Sequence, residues 1–104
     1  MQALFVTGHR ERLLEWREAQ APRMEAPSDA IVSPIAVAAC DLDRAIAAGR
    51  SPFPGEFMLG HEFTAEVVEI GADVKNVKPG DVVLASFQPS CGVCCRCGRG
   101  HSSV

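Results

Sequence analysis

The sequence predicts a mainly β, barrel-like domain with short helices. Three observations carry this. The apolar residues fall into several short runs or into alternation with period two, and turn signals separate those runs. No stretch supports a helix longer than two or three turns. No alternation of strand, helix and strand of the kind that builds a parallel sheet is present.

Taken in order, Gln2 to Val6 reads as a short strand, and Gly8-His9-Arg10 supplies a turn, with His9 a solvated turn residue. Arg12 to Glu18 reads as a second strand completing a hairpin, with Leu14 and Trp16 on one face and Leu13, Glu15 and Arg17 on the other. A helix from Glu11 to Ala21 competes with this reading, because Glu, Arg, Leu and Ala are good helix formers. The turn signal upstream and Pro22 downstream favour the strand. Ala21 to Asp29, with two prolines, is a loop. Ala30 to Ala39 is a third strand, apolar on both faces, with Ile31, Ile35 and Val37 on one side. Pro34 lacks the N–H a ladder needs, so an edge or a bulge is expected there. Cys40 to Gly49 predicts a two-turn helix with Asp41 as N-cap and Gly49 just past the end. Arg50 to Met58 is an irregular loop with Phe53 and Phe57 as anchors. Gly60 to Ile70 is a long strand whose alternation shifts phase at Val68, which predicts a bulge near Val67-Val68. Pro79-Gly80 fills the two central positions of a turn. Asp81 to Phe87 is expected to be a final buried strand. Gln88 to Val104 has no periodicity and no core of its own, so a metal is expected to order it.

Composition sets the limits. A chain of 104 residues is one domain with a modest core. At 47% hydrophobic and 22% charged it has the balance of an ordinary soluble protein. The net charge of -3 and the scattered Lys and Arg argue against nucleic acid. No apolar run approaches the roughly 20 residues that span a bilayer. Met1 to Val6 lacks the features of a signal peptide, so a cytoplasmic location is expected. There the five cysteines are reduced thiols, suited to metal or redox chemistry rather than disulfides.

Two constellations carry chemistry. Cys91-x2-Cys94-x2-Cys97 places three thiols on a Gly-containing loop, able to wrap one tetrahedral zinc that needs a fourth ligand. Cys95 is a bystander beside Cys94, and His101 is available as a further donor. The alternatives are free thiols in an unstructured tail, an Fe–S cluster lacking its fourth thiolate, or a redox pair formed by Cys91 and Cys94. The second constellation is Cys40 with His61 and Glu62, all at element junctions. Cys40 stands beside the positive end of a short helix, where the metal-binding thiolate is favoured. Taken singly, Cys40 reads as a buried structural cysteine, His61 as a hydrogen-bonded turn histidine and Glu62 as a solvated carboxylate. Together they resemble a catalytic zinc site in type, one that keeps a position open for Lewis-acid work.

In order, Gly60-His61-Glu62, then Gly71-x2-Val74-x2-Val77-x2-Gly80-Asp81-x-Val83, then Cys91-x2-Cys94-x2-Cys97 resemble the N-terminal catalytic domain of zinc-dependent alcohol dehydrogenases. These belong to the medium-chain dehydrogenase/reductase family, and the domain is a GroES-like, partly open β-barrel. The resemblance implies that Cys40 and His61 are the first two catalytic-zinc ligands. It implies that Glu62 is the adjoining carboxylate, able to exchange with a ligand, and that Asp43 is structural. Cys91, Cys94 and Cys97 are then three structural-zinc ligands in a lobe over residues 88–104 of a domain over 1–104. The family commonly has Ser or Thr two residues after the catalytic Cys, where this chain has Leu42. Its fourth structural cysteine falls at a position beyond Val104. Its third catalytic ligand and its Rossmann domain also lie further on, and no Gly-x-Gly-x-x-Gly occurs here.

The expected function is therefore that of a truncated alcohol dehydrogenase domain, inactive alone. The parent reaction is NAD(P)-dependent interconversion of a small alcohol and its aldehyde or ketone. A non-catalytic zinc-binding or interaction module of the same fold is the alternative. Exposed apolar surface is expected to drive association into a homo-oligomer.

Overall fold

The computed structural model describes residues 1–9, 12–50, 53, 55–88 and 90–101, and for His9, Arg12 and Leu13 the backbone alone. The expected turn at Arg10, the side chain of His9, Pro52 and Pro54 of the 50–58 loop, and the end of the cysteine-rich segment lie outside the described residues.

Strand β1 (Gln2–His9) and strand β2 (Arg12–Glu18) form the predicted antiparallel hairpin, and β2 is a strand, not a helix. β1 also pairs with β4 (Phe57–Met58), a two-residue strand within the segment expected to be an irregular loop. A second antiparallel sheet orders β3 (Ala30–Val37), β5 (Phe63–Ile70) and β6 (Val82–Ala85) with β5 in the centre. The two three-stranded sheets remain separate, as in a partly open barrel. Helix α1 (Asp41–Ala47) follows β3.

Both expected irregularities form. Ile31 pairs with Glu69 and Val32 with Val67, which leaves Val68 as the extra residue of β5. Val67 is then buried while Val68 is exposed. Pro34 pairs with Ala65 and Ala36 with Thr64, so Ile35 is a bulge on the edge strand β3. That bulge corrects one expectation. Ile31, Ile35 and Val37 do not share one side: the inserted residue shifts the alternation, so Val37 pairs with Phe63 on the side of Ala65 and Val67, while Ile31 pairs with Glu69. The Pro79-Gly80 turn closes through the Asp81 N–H, which donates to the Lys78 carbonyl at 3.1 Å.

The core is small. Among the described residues, Val6, Ile46, Ala65 and Val67 are its buried apolar side chains, and Thr7 and Asp43 are buried as well. Burying a side chain such as Val67 stabilises by about 1.5–3 kcal/mol. Gly71 marks the tightest backbone approach: a Cβ there would meet the Pro27 carbonyl oxygen at 2.2 Å. The contact is held by the Gly71 N–H donating to the Asp29 carbonyl and the Asp73 N–H donating to the Pro27 carbonyl.

One further expectation is corrected. Asp81 to Phe87 is not a buried strand. β6 is the edge of its sheet, and Val82 and Leu84 are 66% and 71% exposed. On β2, Trp16 and Leu14 face solvent, whereas Glu15 and Arg17 take the half-buried face. Arg17 is the most heavily engaged side chain on that half-buried face. Its guanidinium lies over the Phe5 ring at 5.6 Å and grips Glu56 through two 3.1 Å contacts, with Glu15 at 3.0 Å. These hydrogen bonds, to Glu56 first and Glu15 next, hold the guanidinium in its charged form.

Candidate metal centres

Cys40 and His61 are 21 residues apart, and the β3–β5 ladder brings them together. The ladder runs to Val37 opposite Phe63 and is extended by the Ala38 N–H donating to the Glu62 carbonyl at 2.9 Å. The two chains therefore leave the sheet side by side. Gly60, at φ +132, turns the chain just before His61 in a conformation that L side chains rarely adopt. Cys40 Sγ ends 3.4 Å from His61 Nε2.

Asp43 completes the arrangement. Cys40, not Asp41, is the N-cap of α1, and its N–H donates to Asp43 Oδ2 at 2.7 Å. The other oxygen, Oδ1, is buried without a well-formed hydrogen bond and lies 3.3 Å from His61 Nδ1. Cys40 and Asp43 thus face opposite nitrogens of one ring. The carboxylate selects the tautomer with its proton on Nδ1, which leaves the Nε2 lone pair directed at Cys40. The three donor atoms lie within 4.8 Å of one another. Glu62 is not among them, although it lines the adjoining cavity with His61. Sequence reasoning gave Asp43 a structural role only. The signal for more was its spacing: a carboxylate three residues after the cap reaches back to the cap's N–H.

The donors fit zinc. A tetrahedral ion with ordinary Zn–S and Zn–N bonds sets sulfur and nitrogen about 3.6 Å apart. The orphaned Asp43 oxygen behind the imidazole is what a metal-binding histidine requires on its other nitrogen.

Beside this centre lies a cavity of about 580 Å3. Leu42 and Ile46 of α1 form one wall, and Phe53, Phe57, Met58 and Leu59 form another. Phe87 stands edge-on to His61 with ring centres 6.3 Å apart. Leu42 and Phe87 were not expected to line a site, because neither carries a donor atom.

The second centre is local. Cys91 Sγ and Cys97 Sγ are 3.9 Å apart, and Cys94 Sγ and Cys97 Sγ are 3.5 Å apart. Two sulfurs on one tetrahedral zinc stand about 3.8 Å apart, so this triangle also fits. The Cys94 N–H donates to Cys91 Sγ at 3.4 Å and the Cys97 N–H to Cys94 Sγ at 3.5 Å. A short 3-10 turn (Cys97–Arg99) closes the loop. The Val93 N–H, followed by that of Cys94, pulls the Cys91 thiol down from 9.0 to about 7. The Cys97 N–H lowers Cys94 in the same way. Cys95 and His101 stand outside the triangle; the His101 N–H is engaged by the Arg96 carbonyl.

Comparison with known proteins agrees with this architecture. The model of the alcohol dehydrogenase GroES-like domain matches residues 26–104. A zinc-type alcohol dehydrogenase B of Aspergillus flavus is 38% identical over 86 residues, covering 83% of this chain and 20% of its own length. A medium chain reductase/dehydrogenase of an Acremonium species is 35% identical over 104 residues, 99% of this chain and 35% of its own. Among solved structures, alcohol dehydrogenase TADH from Thermus sp. ATN1 superposes with a TM-score of 0.84 at 34% identity, over 98% of this chain and 29% of that one. The chain thus spans about a fifth to a third of the length of such relatives. Sequence match and open two-sheet topology agree: the chain belongs to the alcohol dehydrogenase GroES-like domain family, the N-terminal catalytic domain of medium-chain dehydrogenases/reductases.

Proposed function

We propose that this chain is the zinc-holding part of an oxidoreductase that interconverts a small alcohol and its carbonyl compound with NAD(P), and that it is inactive alone. The observation that carries this is the 3.4 Å approach of Cys40 Sγ to His61 Nε2 at an apolar cavity, with Asp43 Oδ1 behind the ring. Cys40 and His61 would hold the catalytic zinc. An ion bound there supplies Lewis-acid polarisation of the alcohol or carbonyl oxygen. Asp43 fixes the imidazole's tautomer and direction. Leu42 and Phe87 keep the neighbourhood of His61 apolar and thin its water. Glu62 is the carboxylate next to hand for completing or exchanging the coordination.

Cys91, Cys94 and Cys97 would hold a structural zinc in a lobe over residues 88–104, within one domain over 1–104. The hydride carrier's site would lie in sequence outside these residues, consistent with relatives about three to four times as long. A reducing compartment such as the cytoplasm suits five free cysteines. No helix among the described residues is long and apolar enough to cross a membrane. The exposed, uncharged edge strand β6 offers a surface for self-association.

Zinc content and cobalt(II) absorption test the reading. Two ions per chain are expected, one fewer in Cys40→Ser and one fewer in Cys94→Ser. Alcohol oxidation by the chain with NAD(P) should stay at background. A chain that takes up no zinc on refolding with the metal refutes the metal assignment. Turnover well above background refutes the inactivity.

A further inference from the structure

We infer that the cavity beside Cys40 and His61 selects an apolar alcohol or aldehyde, one bearing an aromatic ring or a branched chain, and turns away polyols, sugars and phosphorylated alcohols; this rests on the function proposed above. The lining decides it. At about 580 Å3 the space is ample for a ring-sized substrate. Among the described residues its only polar lining residues are His61 and Glu62, adjacent in sequence. No Lys, Arg, Ser, Thr, Asn or Gln is among them.

The remaining walls are apolar and uncovered. Phe53 meets Phe57 edge-on, with ring centres 5.8 Å apart, and Phe87 meets His61 edge-on. Phe53 is 53% exposed, Phe87 60% and Leu42 40%, so these faces have contact area left to give. A ring against them loses apolar area from water while its single oxygen reaches the polar pair. A polyol seated there strips water from several hydroxyls and meets partners for one. Hydrophobic contact of this kind discriminates about tenfold or more per group. A phosphate needs a guanidinium, an ammonium or a set of backbone N–H donors, and the described lining offers no cationic side chain.

The test compares benzyl alcohol, xylitol and glycerol 3-phosphate by calorimetry or saturation-transfer NMR, on zinc-loaded and zinc-free chain. Benzyl alcohol should bind at least about tenfold more tightly than either competitor in both metal states. Phe53→Ala and Phe87→Ala should each cut that ratio about threefold or more, and Leu42→Ser should lower it. All three side chains are exposed, so circular dichroism should be unchanged. Equal or tighter binding of xylitol or glycerol 3-phosphate overturns the inference. So does a ratio that neither phenylalanine variant moves. Zinc counts separate this from the parent reading. A chain that takes zinc but shows no preference overturns the selectivity alone. A chain that takes no zinc yet keeps the preference supports the selectivity and sinks the metal assignment.

Discussion

The two candidate metal centres are built in opposite ways. Cys40, Asp43 and His61 come from a helix cap and a strand entrance 21 residues apart, joined by the β3–β5 ladder. Cys91, Cys94 and Cys97 lie within seven consecutive residues and are arranged by their own N–H to sulfur contacts. The first borrows its geometry from the fold, including a buried carboxylate that would be costly anywhere else. The second has no buried side chain around it among the described residues, so it is expected to depend on its ligand for order. A site inherited from a sheet should fail when the sheet fails, and a site made by a loop should not.

The sharpest way to break that contrast is to remove the fold. In denaturing urea, cobalt absorption from the first centre should vanish completely. A synthetic peptide of residues 88–101 should still bind one cobalt, within about tenfold of the intact chain's second site. Equal loss at both centres would erase the distinction.

Next in size is Gly71→Ala. Its Cβ would strike the Pro27 carbonyl, backbone that cannot swing aside, so a loss of about 3 kcal/mol is expected by urea titration. The first centre should weaken with the sheet while the second keeps its affinity. An unchanged midpoint would show that the Pro27 segment can yield.

Asp43→Asn probes the first centre alone. Without the carboxylate behind His61, metal affinity there should fall about 10–100-fold, with no change at the cysteine triangle. Competition with a chromophoric chelator reads both sites in one titration. An unaltered affinity would reduce Asp43 to a helix-cap partner.

The smallest effect is in pH. With the Cys91 thiol lowered to about 7, its thiolate dominates above that pH and is lost as pH falls through it. Alkylation of Cys91 in metal-free chain should rise about tenfold from pH 6 to pH 8 and should be blocked by zinc. Metal affinity of the triangle should fall on acidification through the same range. A rate still climbing steeply at pH 9 would mean that the N–H contacts do not hold the thiolate.

What the sequence made legible was local. The hairpin, the bulge at Val68 and the Pro79-Gly80 turn each depend on a few neighbouring residues, and each can be read from them. What stayed hidden depends on partners far along the chain. Trp16 faces water while Arg17, on the other side of β2, meets Glu56, 39 residues on. Val82 and Leu84 are exposed because their face of β6 is left uncovered, while Val83 and Ala85 on the other face are half-buried, and which face is covered cannot be read from one strand. Cys40 and His61 could be singled out by type and position. The part Asp43 plays could not, because its second oxygen has meaning only once the ladder has placed the imidazole against it.

The bond from the Ala38 N–H to the Glu62 carbonyl has an evolutionary consequence. It clamps both ends of the stretch between Cys40 and His61, so that stretch can gain or lose residues in its middle without moving either donor. An insertion between His61 and Phe63 would instead turn the imidazole to the wrong side of the sheet. The stretch between α1 and β4 is therefore free to drift in length and sequence while β4, paired to β1, and the donors stay in register. A lineage with this scaffold can reshape the wall of the cavity without moving Cys40 or His61.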